Sequence, residues 1–210
     1  MRVQVIGYAR HEAYNEHAER LLGLVDEALR QAGVGKGEVQ RIAVGVGPGS
    51  FTGVRVALAV GQGLMLGLNV PGLGVGSLRA IAFGLGEQDE RVRVVVRDAR
   101  RDEFFVAAYL ANGDELLAPC AIPQLHAEAY VADLCASHAW EDFVVIGSPL
   151  AGLPYVETDE TVQPDARAVG RLAVRLDPNR SPVEPCYVRG PNLVRPELVV
   201  SPLEQPRRTE

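Results

Sequence analysis

Polar and apolar positions change period several times along the chain, and each change predicts an element. Met1-Arg-Val-Gln-Val-Ile6 alternates, which predicts a strand. From Asn15 the period lengthens. Ala18, Leu21, Leu22, Val25, Ala28, Leu29 and Ala32 recur at three and four, the apolar stripe of one helix. Asn15 is the expected N-cap, Glu16 and Glu19 sit at the positive end, Arg30 at the negative end, and Gly33 follows as C′. Leu24 falls outside that stripe. A short apolar strand over residues 42–46 ends in Gly47-Pro-Gly-Ser-Phe-Thr-Gly53. A second helix over residues 54–68 follows, stopped by Asn69-Val-Pro-Gly72. Residues 73–75 predict another short strand, and Ser77 caps a brief helix to about Phe83.

The polar, glycine-bearing segment 84–90 then marks a boundary between two subdomains, residues 1–85 and 86–200. Beyond it Val92, Val94 and Val96 alternate with arginines, and residues 103–110 are rich in aromatic and apolar positions. Together they predict a hairpin turned by Asp98-Ala-Arg-Arg-Asp102. Helices are expected over 123–138 and 165–176, with a strand over 143–147 between them. Residues 201–210 are expected to be a flexible tail. Strands alternating with helices indicate an α/β protein.

Composition narrows the class. With 210 residues, 47% hydrophobic and 23% charged, the chain can bury a core and is not a disordered protein. A formal charge of −6 excludes a generally basic nucleic-acid coat, so a nucleic acid is expected to bind weakly to this chain alone. Three cysteines, Cys120, Cys135 and Cys186, form no C-x-x-C pair, which fits a reducing, cytoplasmic setting. No apolar leader opens the sequence, and the run 54–68, interrupted by Arg55 and Gln62, is short for a membrane span.

Candidate chemistry is sparse. Gly47, Pro48, Gly49, Ser50, Phe51, Thr52, Gly53 and Arg55 form a glycine-rich turn from strand into helix. Such a turn either presents free N–H groups to an anion or is a tight structural turn capped by Ser50 or Thr52. It is neither a Walker A loop nor a dinucleotide fingerprint. Ser50 lacks the flanking glycines of a nucleophile elbow. His11, His17, His126 and His138 include no metal-binding pair. Asp98, Arg100 and Arg101 could meet a phosphate, or simply satisfy the turn. No catalytic set, metal site or cofactor is called for.

The second helix is the most informative segment. Val54, Val56, Ala57, Leu58, Ala59, Val60, Leu64, Met65, Leu66 and Leu68 cover every side, whereas a sheet covers only one. Gly61, Gly63 and Gly67 allow another helix to come close. The helix is therefore either core beneath the second subdomain or one member of a partner-binding pair with the first helix.

Four motifs carry a resemblance. Val44-Gly-Val-Gly-Pro-Gly-Ser-Phe-Thr-Gly-Val-Arg-Val56 with Val70-Pro-Gly-Leu-Gly-Val-Gly-Ser-Leu78 resembles the TsaB (YeaZ-like) family of bacterial tRNA threonylcarbamoyladenosine biosynthesis proteins. His17-Ala-Glu-Arg-Leu-Leu22 is similar to its first-helix motif. Asp98-Ala-Arg-Arg-Asp-Glu103 is similar to its Asp-Ala-Arg-Arg-Gly-Glu hairpin, with Asp102 where glycine is usual, and Tyr187-Val-Arg-Gly-Pro191 to its C-terminal segment.

The resemblance implies an actin-like, ASKHA-type fold of two subdomains; because no Asp-Thr-Ser strand precedes the first helix, either an upstream start is missed or the first subdomain is truncated at its N-terminus. It also implies a non-catalytic partner of a TsaD-like catalytic subunit that works with a TsaE-like ATPase, contacts tRNA only through that complex, forms a homodimer when alone and uses no membrane. On this chain the docking residues would be His17, Leu21, Leu24, Val25, Ala28, Val60, Gly61, Leu64, Met65 and Leu68. A glycoprotease-like metallopeptidase would need the missing histidine pair. An ASKHA nucleotide-binding enzyme would need the missing first phosphate loop.

Overall fold

A computed structural model of the chain describes residues 3–11, 17–156 and 163–188, with only the backbone of residues 17–19. The first half contains α1 (His17–Ala32), β1 (Ile42–Gly45), α2 (Phe51–Leu68), β2 (Gly72–Val75) and α3 (Ser77–Gly84). The second contains β3 (Val92–Arg100), β4 (Glu103–Tyr109), β5 (Glu115–Pro123), α4 (Ala127–Ser137), β6 (Phe143–Gly147), β7 (Tyr155–Val156) and α5 (Ala166–Ala173). β1 and β2 form a two-stranded parallel sheet, and the other strands form a five-stranded sheet in the order β5-β4-β3-β6-β7. Within the latter, β5, β4 and β3 are antiparallel, while β6 runs parallel to β3 and to β7.

The layers follow from which side chains each strand alternates. Val94 and Val96 face α4 through Ala127, Val131 and Cys135, whereas Val95 faces α3 through Leu78, Ile81 and Ala82. The other side of α3, at Ala80 and Phe83, meets α5 and the β2 residues Leu73 and Val75. α2 then covers the far side of the small sheet, with Leu58 against Val44 and Val46. This stacking leaves α1 and α2 on the outside. α5, although late in the chain, is packed on the small sheet of the first half.

Two tethers close the architecture. Near the start, Tyr8 donates its hydroxyl to Asp165 at 3.1 Å and its backbone N–H to Gln31 at 3.1 Å, and the Arg167 guanidinium lies 4.7 Å over its ring. Near the end, Ser181 accepts from the Gly74 N–H at 2.8 Å and the Cys186 N–H donates to Val46 O at 2.8 Å. This strap, residues 181–187, borders β2 and runs along α2.

Several expectations need correction. Within the alternating run 1–6, the described residues 3–6 form no strand: residues 3–11 join no sheet, because Gly7 lies against the backbone of Ala28 on α1 rather than beside a strand. α2 begins at Phe51 and reaches 18 residues at mean hydropathy 1.4, long and apolar enough by those two measures for a membrane span. The helix expected over 123–138 starts as a 3-10 turn, Gln124–His126, before α4. Strands β5 and β7 were not foreseen. Asn15 and the tail 201–210 lie outside the described residues.

Candidate functional site

The local chemistry of α2 fixes its ends. Ser50 Oγ accepts from the Gly53 N–H at 3.4 Å, and Asn69 closes the helix at φ 53° with its N–H turned back to Leu66 and Met65. The glycine-rich turn is thus a capped strand-to-helix turn. Gly47, at φ 94°, takes a conformation that suits glycine, and its carbonyl accepts from the Ser77 N–H at 2.6 Å. Pro48 is buried, whereas Gly49, Ser50, Phe51, Thr52, Gly53 and Arg55 are exposed.

One side of α2 is seated. Leu58 and Gly61 are its only fully buried residues, both over β1. Arg55, Ala59, Gln62, Gly63, Leu66 and Gly67 all face solvent, and Leu66 is 85% exposed. Between α2 and α1 runs an open groove of about 490 Å³ lined by Leu22, Ala59, Val60, Gly63 and Leu64. Leu22 is 53% exposed, and α1 has no fully buried side chain among its described residues. The helix that is apolar on every side is therefore not core beneath the second half.

The expected docking residues divide accordingly. His17 is the first residue of α1; Leu21, Leu24, Val25 and Ala28 are half-buried along it. Val60 and Leu64 line the groove. Gly61 does not: any β-carbon there would strike the Val44 side chain, so this glycine brings α2 down on β1. Met65 turns the same way, its thioether lying over Gly72, and Leu68 is half-buried. Leu22, Ala59, Gly63 and Leu66 take the places of Gly61 and Met65 on the open side. For Ala59, Gly63 and Leu66 the signal was present in the all-round apolarity of α2, but that pattern does not say which side a sheet will cover; Leu22 belongs to the apolar stripe of α1.

At the N-terminal end of the open side stands an unforeseen cluster. The Arg55 guanidinium lies 3.8 Å over the Phe51 ring and its Nε donates to the Tyr187 hydroxyl at 3.3 Å. The Phe51 and Tyr187 rings are 5.9 Å apart, and each is about half exposed.

Elsewhere the titratable groups serve structure. Burial pushes the Cys135 thiol up to about 11 and raises Cys186, which suppresses thiolate at neutral pH. The Cys120 contact, reinforced by burial, pushes Tyr130 up to about 12. Arg93, fully buried, donates to the carbonyls of Ala82 at 2.9 Å, Ala111 at 3.2 Å, Asp89 at 2.6 Å and Gly86. Asp98, Arg100, Arg101 and Asp102 form the β3–β4 turn, and the last three of them all have positive φ. Among the described residues, no cluster of three His, Cys, Asp or Glu is placed to hold a metal ion.

Comparison with known proteins places this geometry in context. Residues 7–132 match the family described as TsaD, tRNA N6-adenosine threonylcarbamoyltransferase. The tRNA threonylcarbamoyladenosine biosynthesis protein TsaB of Escherichia coli is 39% identical over 95 residues, which is 45% of this chain and 41% of that protein. The chain thus spans about two fifths of the length of that relative, and likewise 40% of the Haemophilus influenzae TsaB. An uncharacterised Mycobacterium tuberculosis protein is 33% identical over 180 residues, covering 84% of this chain and 76% of the relative. The solved structure of YeaZ from Pseudomonas aeruginosa superposes with a TM-score of 0.59 at 30% identity, over 84% of this chain and 87% of that one.

Proposed function

Because the chain belongs to the TsaB (YeaZ-like) family and shares its actin-like, ASKHA-type α/β fold, we propose that it is a docking subunit in tRNA threonylcarbamoyladenosine biosynthesis. In this reading it is non-catalytic and cytoplasmic. Its α1–α2 face binds a TsaD-like catalytic subunit, or a second copy of itself when that subunit is absent. A TsaE-like ATPase joins through the complex, and tRNA is engaged only there. Residues 1–85 supply the docking subdomain and residues 86–200 the support.

The observation that carries the reading is α2 itself: 18 apolar-rich residues of which only Leu58 and Gly61 are buried. Soluble proteins rarely leave a contiguous apolar face of several hundred Å² to water. Covering about 400 Å² would contribute roughly 10 kcal/mol at ~25 cal/mol per Å², before the cost of association. The groove beside it is lined by small and aliphatic residues, which suits an incoming helix.

The test is co-purification with the cognate TsaD-like subunit, followed by tRNA modification in a reconstituted mixture. Wild type is expected to co-purify and to support modification. Leu66→Asp is expected to lose both while keeping its circular dichroism spectrum and melting temperature. Failure of the wild type to associate, or flotation of the protein with lipid vesicles through α2, would overturn the reading.

A further inference from the structure

We propose that Arg55 is a pre-set anchor for a carboxylate on the TsaD-like partner, so that the helix arriving on α2 carries an Asp or Glu at the end that meets the start of α2. This rests on the docking reading above and adds the chemistry of the partner.

Arg55 is the only charged residue in α2, and it begins the exposed line Arg55, Ala59, Gln62, Leu66, spaced four, three and four along the helix. The line therefore has a cationic head and an apolar body. Two contacts hold the head: the guanidinium lies 3.8 Å over the Phe51 ring, and its Nε–H donates to the Tyr187 hydroxyl at 3.3 Å. Those contacts use one face and one N–H of the guanidinium. Its two terminal nitrogens remain, and among the described residues no carboxylate lies within ion-pair distance of them. A planar fork fixed in this way loses little freedom when a carboxylate arrives, and partner burial of the half-exposed Phe51 and Tyr187 would strengthen the pair by excluding water.

Among the described side chains, charge favours a different protein over a second copy. α2 contains no acid. The described acids of α1 are already engaged, Asp26 with Lys36 at 2.9 Å and Glu27 with Arg30 at 2.6 Å and Gln31 at 2.8 Å. Among the described side chains of these helices, a second copy thus offers Arg55 no carboxylate outside an ion pair.

The experiment measures the Kd for the cognate TsaD-like subunit at low and high salt, for wild type, Arg55→Gln, Arg55→Lys, Tyr187→Phe and Leu66→Asp, with a melting temperature for each. Arg55→Gln is expected to bind about 10-fold more weakly at low salt and to lose most of the salt dependence, with its melting temperature unchanged. Arg55→Lys is expected to recover only part of the loss, and Tyr187→Phe to weaken binding by a few-fold. A double-mutant cycle against each acid on the partner's docking helix should couple Arg55 to one of them. If Arg55→Gln binds like wild type with unchanged salt dependence while Leu66→Asp does not bind, the anchor is overturned and the docking reading stands. If Arg55→Gln instead weakens self-association alone, the occupant is a second copy and the proposal is overturned. If wild type itself does not bind, the reading and the anchor fall together.

Discussion

Gly61 rests directly on Val44: a β-carbon at the glycine would collide with the valine methyl groups, so the first contact between α2 and β1 depends on a missing side chain. Gly63, two residues on, has nothing within 4 Å of where its β-carbon would be. The two glycines therefore make opposite predictions. Gly61→Val forces α2 off the sheet and should cost about 1–3 kcal/mol, seen as a melting temperature several degrees lower. Gly63→Ala should raise stability by up to about 1 kcal/mol, since alanine is the better helix former, while weakening association with a TsaD-like subunit. Equal melting temperatures for both variants would contradict this placement.

The β3–β4 turn predicts a stabilising change. Arg100, Arg101 and Asp102 have φ of 61°, 60° and 57°, a left-handed run that side chains resist by roughly 1–2 kcal/mol per residue. Arg101→Gly and Asp102→Gly should each raise the thermal midpoint. The net gain is under about 1 kcal/mol, because glycine also loosens the unfolded chain, and it should be smaller at Asp102 since aspartate tolerates this region better. Glycine at 102 would also restore the residue usual in the family hairpin. A lowered midpoint for both variants would show that the turn is not strained.

Arg93 predicts a severe loss. Its guanidinium, itself fully buried, gathers carbonyls from the end of α3, the 86–89 loop and the β4–β5 turn. Arg93→Met fits the volume but removes at once the bonds that one charged donor makes to four carbonyls, each worth on the order of 1.5–3 kcal/mol. Expression as insoluble protein, or a denaturant midpoint displaced by more than 3 kcal/mol equivalents, is expected. A near-native midpoint would mean that water or the backbone can satisfy the carbonyls instead.

Acid should loosen the tether at Tyr8. Burial alone would push the Asp165 carboxyl up, but Arg167 holds it below the ordinary carboxylate range with side-chain bonds of 3.0 Å, aided by the Arg167 N–H at 2.7 Å and the Tyr8 hydroxyl. A carboxylate whose folded value is lowered contributes stability that is complete above its unfolded value, near ~3.9, and is lost as pH falls through the folded one. Wild type should therefore lose melting temperature below about pH 4, and Asp165→Asn should lack that component while being less stable at pH 7. Parallel curves for the two proteins down to pH 2 would remove Asp165 from the account.

How much of this was legible depended on whether a pattern names its own neighbour. Ser50 did, because a cap is local, and so did the hairpin around residues 98–102. The apolar circumference of α2 announced a need for cover but not the direction of the sheet, which is why Gly61 and Met65 were expected on the open side. Alternation at Val3 and Val5 suggested a strand, yet a strand exists only with an edge to join, and α1 lies there instead. β5 escaped notice because Pro119 and Pro123 interrupt it; as the outermost strand it tolerates their missing donors. Arg93 lies on the side of β3 opposite Val92, Val94 and Val96, and because β3 is central and covered on both faces, the arginine is enclosed.

The strap has a consequence in time rather than space. Gly74 waits for Ser181, Val46 for Cys186 and Arg55 for Tyr187, so the small sheet and the head of its outer helix are finished by residues that leave the ribosome more than a hundred positions later. Until then β2 offers a bare edge beside an uncovered apolar helix, the combination that favours misassociation. The proposed docking surface thus reaches its final form only once residue 187 has been made, and a shorter nascent chain would lack the finished face on which to engage a partner.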